Sequence, residues 1–324
     1  MRVHPLQISR CVSLGLALGI FLYACLLVFL FTKRAATLIP QKHLHLIQNI
    51  LFFLCAAGIV FYMGVFSFLL IYKNDILYHQ EKVSVEDSNI RNEKNGILPW
   101  KNALGETIGW IISPQNEHAK FRVIIFHGQG GTAYSLLYFS NILKNQTSQG
   151  SWEIYLFEYP GYGTRAGKPS EKTIVSGVIE AFDELKKADD RPIFIMGQSL
   201  GCAVTCQVVA HRAKSVAGIV LMSPFYNLGS TAQYQFPIFP VSLLLWNDYR
   251  SDLALKSYTG PAAFIVDGAD TTIPPEFALQ LYQEYQGPKL LKFVPHGYHC
   301  EIPEINDPWW KEMNDFILAK QVQP

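Results

Sequence analysis

The sequence predicts an α/β protein, a mainly parallel sheet flanked by helices, attached to an N-terminal transmembrane helical hairpin. Three observations carry this reading. Beyond about residue 100, short apolar runs alternate with helix-like stretches, the pattern of parallel strands wrapped by helices. Four of those runs (RVIIF, PIFIM, AGIVLM and AAFIV) are continuously apolar, as strands covered on both faces must be. Ahead of them lie two uncharged runs, each longer than the roughly 20 residues needed to cross the hydrocarbon of a bilayer.

The first uncharged run occupies about 11–32 and the second about 49–72. In lipid only a helix satisfies its own backbone within one segment. Arg2 and Arg10 would also suit a signal peptide, but the apolar stretch outruns a signal core of about 7–15 residues and no small-x-small cleavage site follows. The expected organisation is two membrane helices in 1–75, a polar linker of mixed charge in 76–100, and a folded domain over 101–324 with a short cap at about 225–258. The chain is thus expected to be an integral membrane protein with the lipid bilayer as a partner. Lys33, Arg34 and Lys42 between the runs balance Arg2, Arg10, Lys73 and Lys82 outside them, so charge does not set which side the domain faces. The glycosylation triplet Asn145-Gln146-Thr147 would matter only in a glycosylating lumen.

A formal net charge of +1, with no basic stripe, argues against a nucleic-acid partner. The six cysteines form no disulfide framework: Cys11, Cys25 and Cys55 lie in the apolar runs, Cys202 and Cys206 share one predicted helix, and Cys300 is isolated. No HExxH, Cys-x-x-Cys or His–carboxylate cluster suggests a metal, and no cofactor is expected.

Strands are predicted at 107–112, 121–126, 154–157, 192–196, 217–222, 262–266 and 290–294. Helices are predicted at 170–187, 200–212, 275–285 and 308–320, the first capped by Ser170 and the third opened by Pro275.

Gly197-Gln198-Ser199-Leu200-Gly201 follows one such strand and opens a helix-like run. This is the Gly-x-Ser-x-Gly nucleophile elbow in its required strand–turn–helix context. The turn is too tight for side chains at the glycines, and it pushes Ser199 to the carboxyl edge of the sheet. A serine nucleophile needs a base, and the base an orienting carboxylate. Asp267 and Asp270 follow the strand AAFIV; His296 and His299 follow the strand LLKFV. Both pairs come after the serine in the order acid then histidine, on loops at strand ends, and the choice within each pair is open at this point. An oxyanion hole would draw on the backbone N–H of Leu200 and on that of Gln129, in the loop His127-Gly128-Gln129-Gly130-Gly131. That loop also fits a rival. Gly128-x-Gly130-x-x-Ala133 follows a strand, and Glu158 ends the next one, as in a dinucleotide site. The rival leaves the elbow, the acid and the histidine unexplained.

FHGQGG, EYPGYG, GQSLG, the segment Asp270 to Pro275 (D-x-x-I-P-P) and HGYH occur in the order seen in the α/β-hydrolase superfamily. The sequence resembles its membrane-anchored α/β-hydrolase-domain subgroup over about residues 108–300. The resemblance implies an α/β-hydrolase fold, Asp270 as the triad acid, His299 as the base and Ser199 as the nucleophile, with no cofactor. Three features depart from the subgroup's pattern: the acid loop is one residue shorter than G-x-x-D, Cys300 follows the histidine, and a second membrane helix is more than many members have. The implied activity is hydrolysis of an ester or thioester in a lipid-like or acylated substrate. A serine peptidase on the same residues, or a non-catalytic binding protein, is the alternative. The cap, with Phe236, Pro237, Ile238, Phe239, Pro240, Val241 and 243–246, is apolar enough to line an acyl pocket or lean on the bilayer. Protein partners, acyl length and leaving group stay open.

Overall fold

The computed structural model describes residues 40–114, 118–144, 150–245 and 248–319. The first apolar run and the 145–147 triplet lie outside the described residues. Among those described, one helix is long and apolar enough to cross a membrane. This is α1, Gln41–Ile71, with Pro40 at its N-cap. It begins earlier than the expected 49 because the polar turn Gln41–His45 continues the helix into the apolar run. At the helical rise its 31 residues extend about 46 Å. The short α2, Lys73–Leu77, follows.

The chain divides into two compact units, one holding the residues up to Ile76 with Ala232–Trp246, the other Leu77–Thr231 with Asn247–Pro324. In the second unit the stretch expected to be a linker is folded. It carries α3, Val85–Asn95, and β1, Leu98–Lys101, and it buries Tyr78, Ile97 and Trp100. Sequence pattern missed both elements for physical reasons. Helix α3 is polar almost throughout and starts on Ser84, whose hydroxyl accepts the Asp87 N–H at 3.0 Å, with no apolar stripe to announce it. Strand β1 has four residues, includes Pro99, and pairs on one side only, where a proline is tolerated.

The rest alternates strand and helix: β2 Thr107–Ile112, β3 Phe121–Phe126, a 3₁₀ turn Ala133–Leu136 running into α4 Leu137–Lys144, β4 Trp152–Phe157, α5 Glu171–Ala188, β5 Ile193–Gln198, α6 Leu200–Arg212, β6 Val216–Met222, α7 Leu228–Gln235, α8 Ser251–Ala254, β7 Ala262–Asp267, α9 Pro275–Glu284, β8 Lys289–Val294 and α10 Trp309–Leu318. The eight strands form one sheet in the order β1-β2-β4-β3-β5-β6-β7-β8. Strand β2 is antiparallel to β1 and β4, and every other pair is parallel. Strands β3 and β7 are buried at all six positions, which is why their sequences do not alternate. Ser170 caps α5 in a reciprocal capping box with Thr173. At the other end of α5 the fully buried Arg122 guanidinium of β3 donates to the carbonyls of Leu185 and Arg191, at 2.5 and 2.7 Å, and so fixes the turn that feeds β5.

Candidate active site

Ser199 lies between β5 and α6 with φ 53° and ψ −115°, a conformation few non-glycine residues hold. Its neighbours make the turn obligatory. A Cβ on Gly197 would run into the Gly201 carbonyl, and one on Gly201 into the Phe126 carbonyl of β3. Hydrogen bonds from Ser199 N–H to the Met222 carbonyl and from Cys202 N–H to the Ser199 carbonyl, each 2.9 Å, pin the elbow to β6 and α6. The geometry thus stores strain in a residue that its surroundings over-determine.

The structure brings Asp270, His299 and Ser199 into one line. His299 Nε2 lies 2.9 Å from Ser199 Oγ, and His299 Nδ1 lies 2.6 Å from Asp270 Oδ2. A carboxylate only accepts, so Nδ1 carries the proton and Nε2 is left to accept from the serine hydroxyl. Asp270 is itself held by its other oxygen, which accepts the Thr272 and Ile273 N–H groups at 2.8 Å each. Burial works against a charge on His299, but the hydrogen bond to Asp270, aided by Cys300, outweighs it and raises the imidazole above its ordinary value of 6.5. Such a line can take a proton from the serine hydroxyl and keep the resulting imidazolium stable.

The two competing residues lie elsewhere. His296 is exposed. Asp267 is buried, its Oδ2 accepting the Ser223 hydroxyl at 2.5 Å and the Cys300 N–H at 3.1 Å. Burial, opposed by the Ser223 bond and reinforced by Asp270, pushes the Asp267 carboxyl up to about 6. Ser199, Ser223 and Cys300 are three of the four non-glycine residues with left-handed φ among the described residues, and all three cluster here. Sequence reasoning had no signal for Ser223, which is visible only once β6 and β7 lie side by side.

Leu200 follows the serine directly, and Gln129 follows Gly128 in the loop after β3. Leu200 is the first residue of α6, so its N–H has no acceptor within the helix. Gly128 packs against the elbow so closely that a Cβ there would stand 3.4 Å from the Ser199 Cβ. The turn after β4 holds this loop: Tyr162 hydroxyl donates to the Gln129 carbonyl and Tyr159 hydroxyl to the His127 carbonyl, each at 2.8 Å. The same turn disposes of the dinucleotide alternative. The buried Glu158 carboxylate accepts the Ala133 N–H at 3.2 Å, filling from within the amide position that a pyrophosphate would need.

A parallel sheet with an antiparallel edge, a strained serine between strand and helix, and an acid and a histidine on the last two strand ends define a hydrolase-type α/β protein. A family model described as serine aminopeptidase, S33, matches residues 117–253. An esterase of Pyrococcus furiosus superposes with a TM-score of 0.55 at 16% identity, covering 75% of this chain and 98% of its own. An uncharacterized Mycobacterium tuberculosis protein is 31% identical over 157 residues, 48% of this chain and 55% of its own length. The lysophosphatidylserine lipase ABHD12 of Xenopus tropicalis is 30% identical over 139 residues, 41% of this chain and 35% of the lipase. The chain has the α/β-hydrolase fold, and over part of its length it is similar to the lipase, a member of the α/β-hydrolase-domain subgroup. It spans about half the length of the first curated relatives it matches.

Proposed function

We propose that the protein is a membrane-anchored serine hydrolase that cleaves ester or thioester bonds of lipid-like or acylated substrates. The single observation that carries this is the unbroken hydrogen-bonded line from Asp270 through His299 to Ser199. Ser199 Oγ attacks the substrate carbonyl while His299 Nε2 takes its proton, and the N–H groups of Gln129 and Leu200 stabilise the oxyanion. The imidazolium, held by Asp270, returns the proton to the leaving oxygen or sulfur as the acyl-enzyme forms. Water then attacks the acyl-enzyme with the same histidine as base and releases the acid.

The membrane assignment is supported by α1, a described helix of sufficient length and apolarity. The lipid-like substrate class is supported by the similarity to the lysophosphatidylserine lipase of Xenopus tropicalis. A peptidase reading draws on the description of the matching family model. The test is labelling of membranes with a fluorophosphonate probe, the parent beside Ser199→Ala, followed by ester, thioester and aminoacyl-amide panels. Labelling of the parent that vanishes in the variant is expected. An unlabelled but folded parent would overturn the proposal, and turnover confined to aminoacyl amides would replace it with the peptidase reading.

A further inference from the structure

We infer that the loop Phe236–Pro240 enters the bilayer as an apolar wedge keyed to α1. The inference rests on α1 being the membrane anchor of the proposed function. From Tyr226 to Asn247 the chain carries no charge, and the loop reads Phe-Pro-Ile-Phe-Pro with the Ile238 side chain 62% exposed. An exposed apolar loop is unremarkable in itself; its contacts and its backbone are not. Tyr62 of α1 stacks on Phe239 with ring centroids 4.8 Å apart, and Phe66 one turn on lies 6.3 Å from the same ring. The Tyr62 hydroxyl donates to the Ile238 carbonyl at 3.1 Å. Tyr62 stands nine residues before Ile71, the end of α1, which is about 13 Å down the axis at the helical rise. If the apolar run of α1 fills the hydrocarbon, the loop beside Tyr62 lies below the headgroups.

Backbone survives at that depth only when its polar groups are satisfied within the protein. Each carbonyl of this loop, from Phe236 to Pro240, meets a donor within the protein. Pro237 and Pro240 have no N–H to satisfy. The buried Gln233 amide donates to the carbonyls of Phe236, Pro237 and Phe239, at 3.2, 3.3 and 2.9 Å, and its oxygen accepts the Ser242 N–H at 3.3 Å. Phe239 N–H returns to the Phe236 carbonyl and Val241 N–H to the Phe239 carbonyl. Tyr62 takes the remaining carbonyl, that of Ile238, and in doing so satisfies its own hydroxyl in the middle of an apolar helix. A loop bathed in water needs none of this, because water would serve each carbonyl.

The experiment places a genetically encoded environment-sensitive fluorescent residue at position 238, 54 or 104 of the full chain in phosphatidylcholine vesicles. Quenching by lipids with a nitroxide on the acyl chain is compared with quenching by aqueous iodide. Leu54 reports on α1, and Leu104, in the exposed β1–β2 turn, is the water-facing control. The expected result is loss of signal to the lipid quencher at 238 and at 54, and to iodide at 104, with Tyr62→Ala moving 238 toward iodide. Lipid quenching at 54 with iodide quenching at 238 overturns the wedge and leaves the anchor standing. Protection of 238 from both quenchers also overturns it, since a protein surface would then cover the loop. Iodide quenching at 54 sinks the anchor reading itself.

Discussion

Asp267 and Asp270, three residues apart where β7 ends, grip two sides of one histidine loop. Asp270 holds the imidazole of His299 at 2.6 Å, and Asp267 holds the backbone N–H of the next residue, Cys300, at 3.1 Å. Their chemical settings differ accordingly. Asp270 is fed by two backbone N–H groups and faces the ring, whereas the second oxygen of Asp267 is buried without a hydrogen-bond partner.

Asp270→Asn is expected to lower kcat/KM by about a thousand-fold or more, because the imidazole loses the partner that fixes its tautomer. The pH profile supplies the sign. His299 must be neutral to act as base, and its raised pKa puts the acid limb of kcat/KM above 6.5 in the parent. Removing the Asp270 charge should move that limb to lower pH. A variant limb at the parent's position would deny Asp270 this role.

Asp267→Asn is expected to alter stability more than chemistry. In the folded protein this carboxyl holds its proton up to about 6, against 3.8 for the ordinary group. Its contribution to stability is therefore fully present below the lower value and lost as pH rises through the higher one. Asparagine carries no such dependence, so the variant's thermal midpoint relative to the parent should rise between about pH 4 and about pH 8. The difference should be on the order of 2–3 kcal/mol. An offset that stays flat with pH would contradict the assignment.

Gly201→Ala should abolish the folded domain, since the added methyl meets the Phe126 carbonyl of β3 and that strand is buried on both faces. Overpacking against backbone cannot be relieved by a rotamer change and costs roughly 3 kcal/mol or more. Far-ultraviolet circular dichroism of purified protein checks this, and a native spectrum with a native midpoint would refute it.

Ser170→Ala removes one side of the capping box at the start of α5 and is expected to cost about 1 kcal/mol. Denaturant unfolding of parent and variant measures it. Because the Ser170 side chain bonds only within its own cap and touches none of Asp270, His299 and Ser199, the rate of fluorophosphonate labelling should be unchanged.

Much of the fold is legible in the sequence because the parallel strands are buried on both faces. Phe121–Phe126 and Thr107–Ile112 appear at the expected bounds, and the helix after the elbow, Leu200–Arg212, does as well. Among what failed to show were the polar α3 and the four-residue edge strand β1, which lack a hydrophobic period, and the short helices α4, α7 and α8. At the site, spacing alone left Asp267 against Asp270 undecided. Both follow the same strand, and only the lateral neighbours, Ser223 on one side and His299 on the other, separate them. The turn after β4 was conspicuous as EYPGYG, but that its two tyrosines hold the loop around Gln129 depends on contacts no local pattern encodes.

The stretch just after α1 sets the smallest piece of this protein that can stand by itself. Gly163 N–H donates to the Glu81 carbonyl at 2.8 Å, Val83 N–H returns to the Gly163 carbonyl, and Tyr78 hydroxyl meets that of Tyr249 at 3.1 Å. These are the seams by which the chain leaving α1 is sewn into the turn that carries Tyr159 and Tyr162. Cutting at residue 101, where the polar composition ends, would remove Tyr78, Ile97 and Trp100 from the interior and loosen the support of the glycine loop. A soluble fragment made for assay or crystallisation should therefore begin near Leu77, with the stitched segment kept.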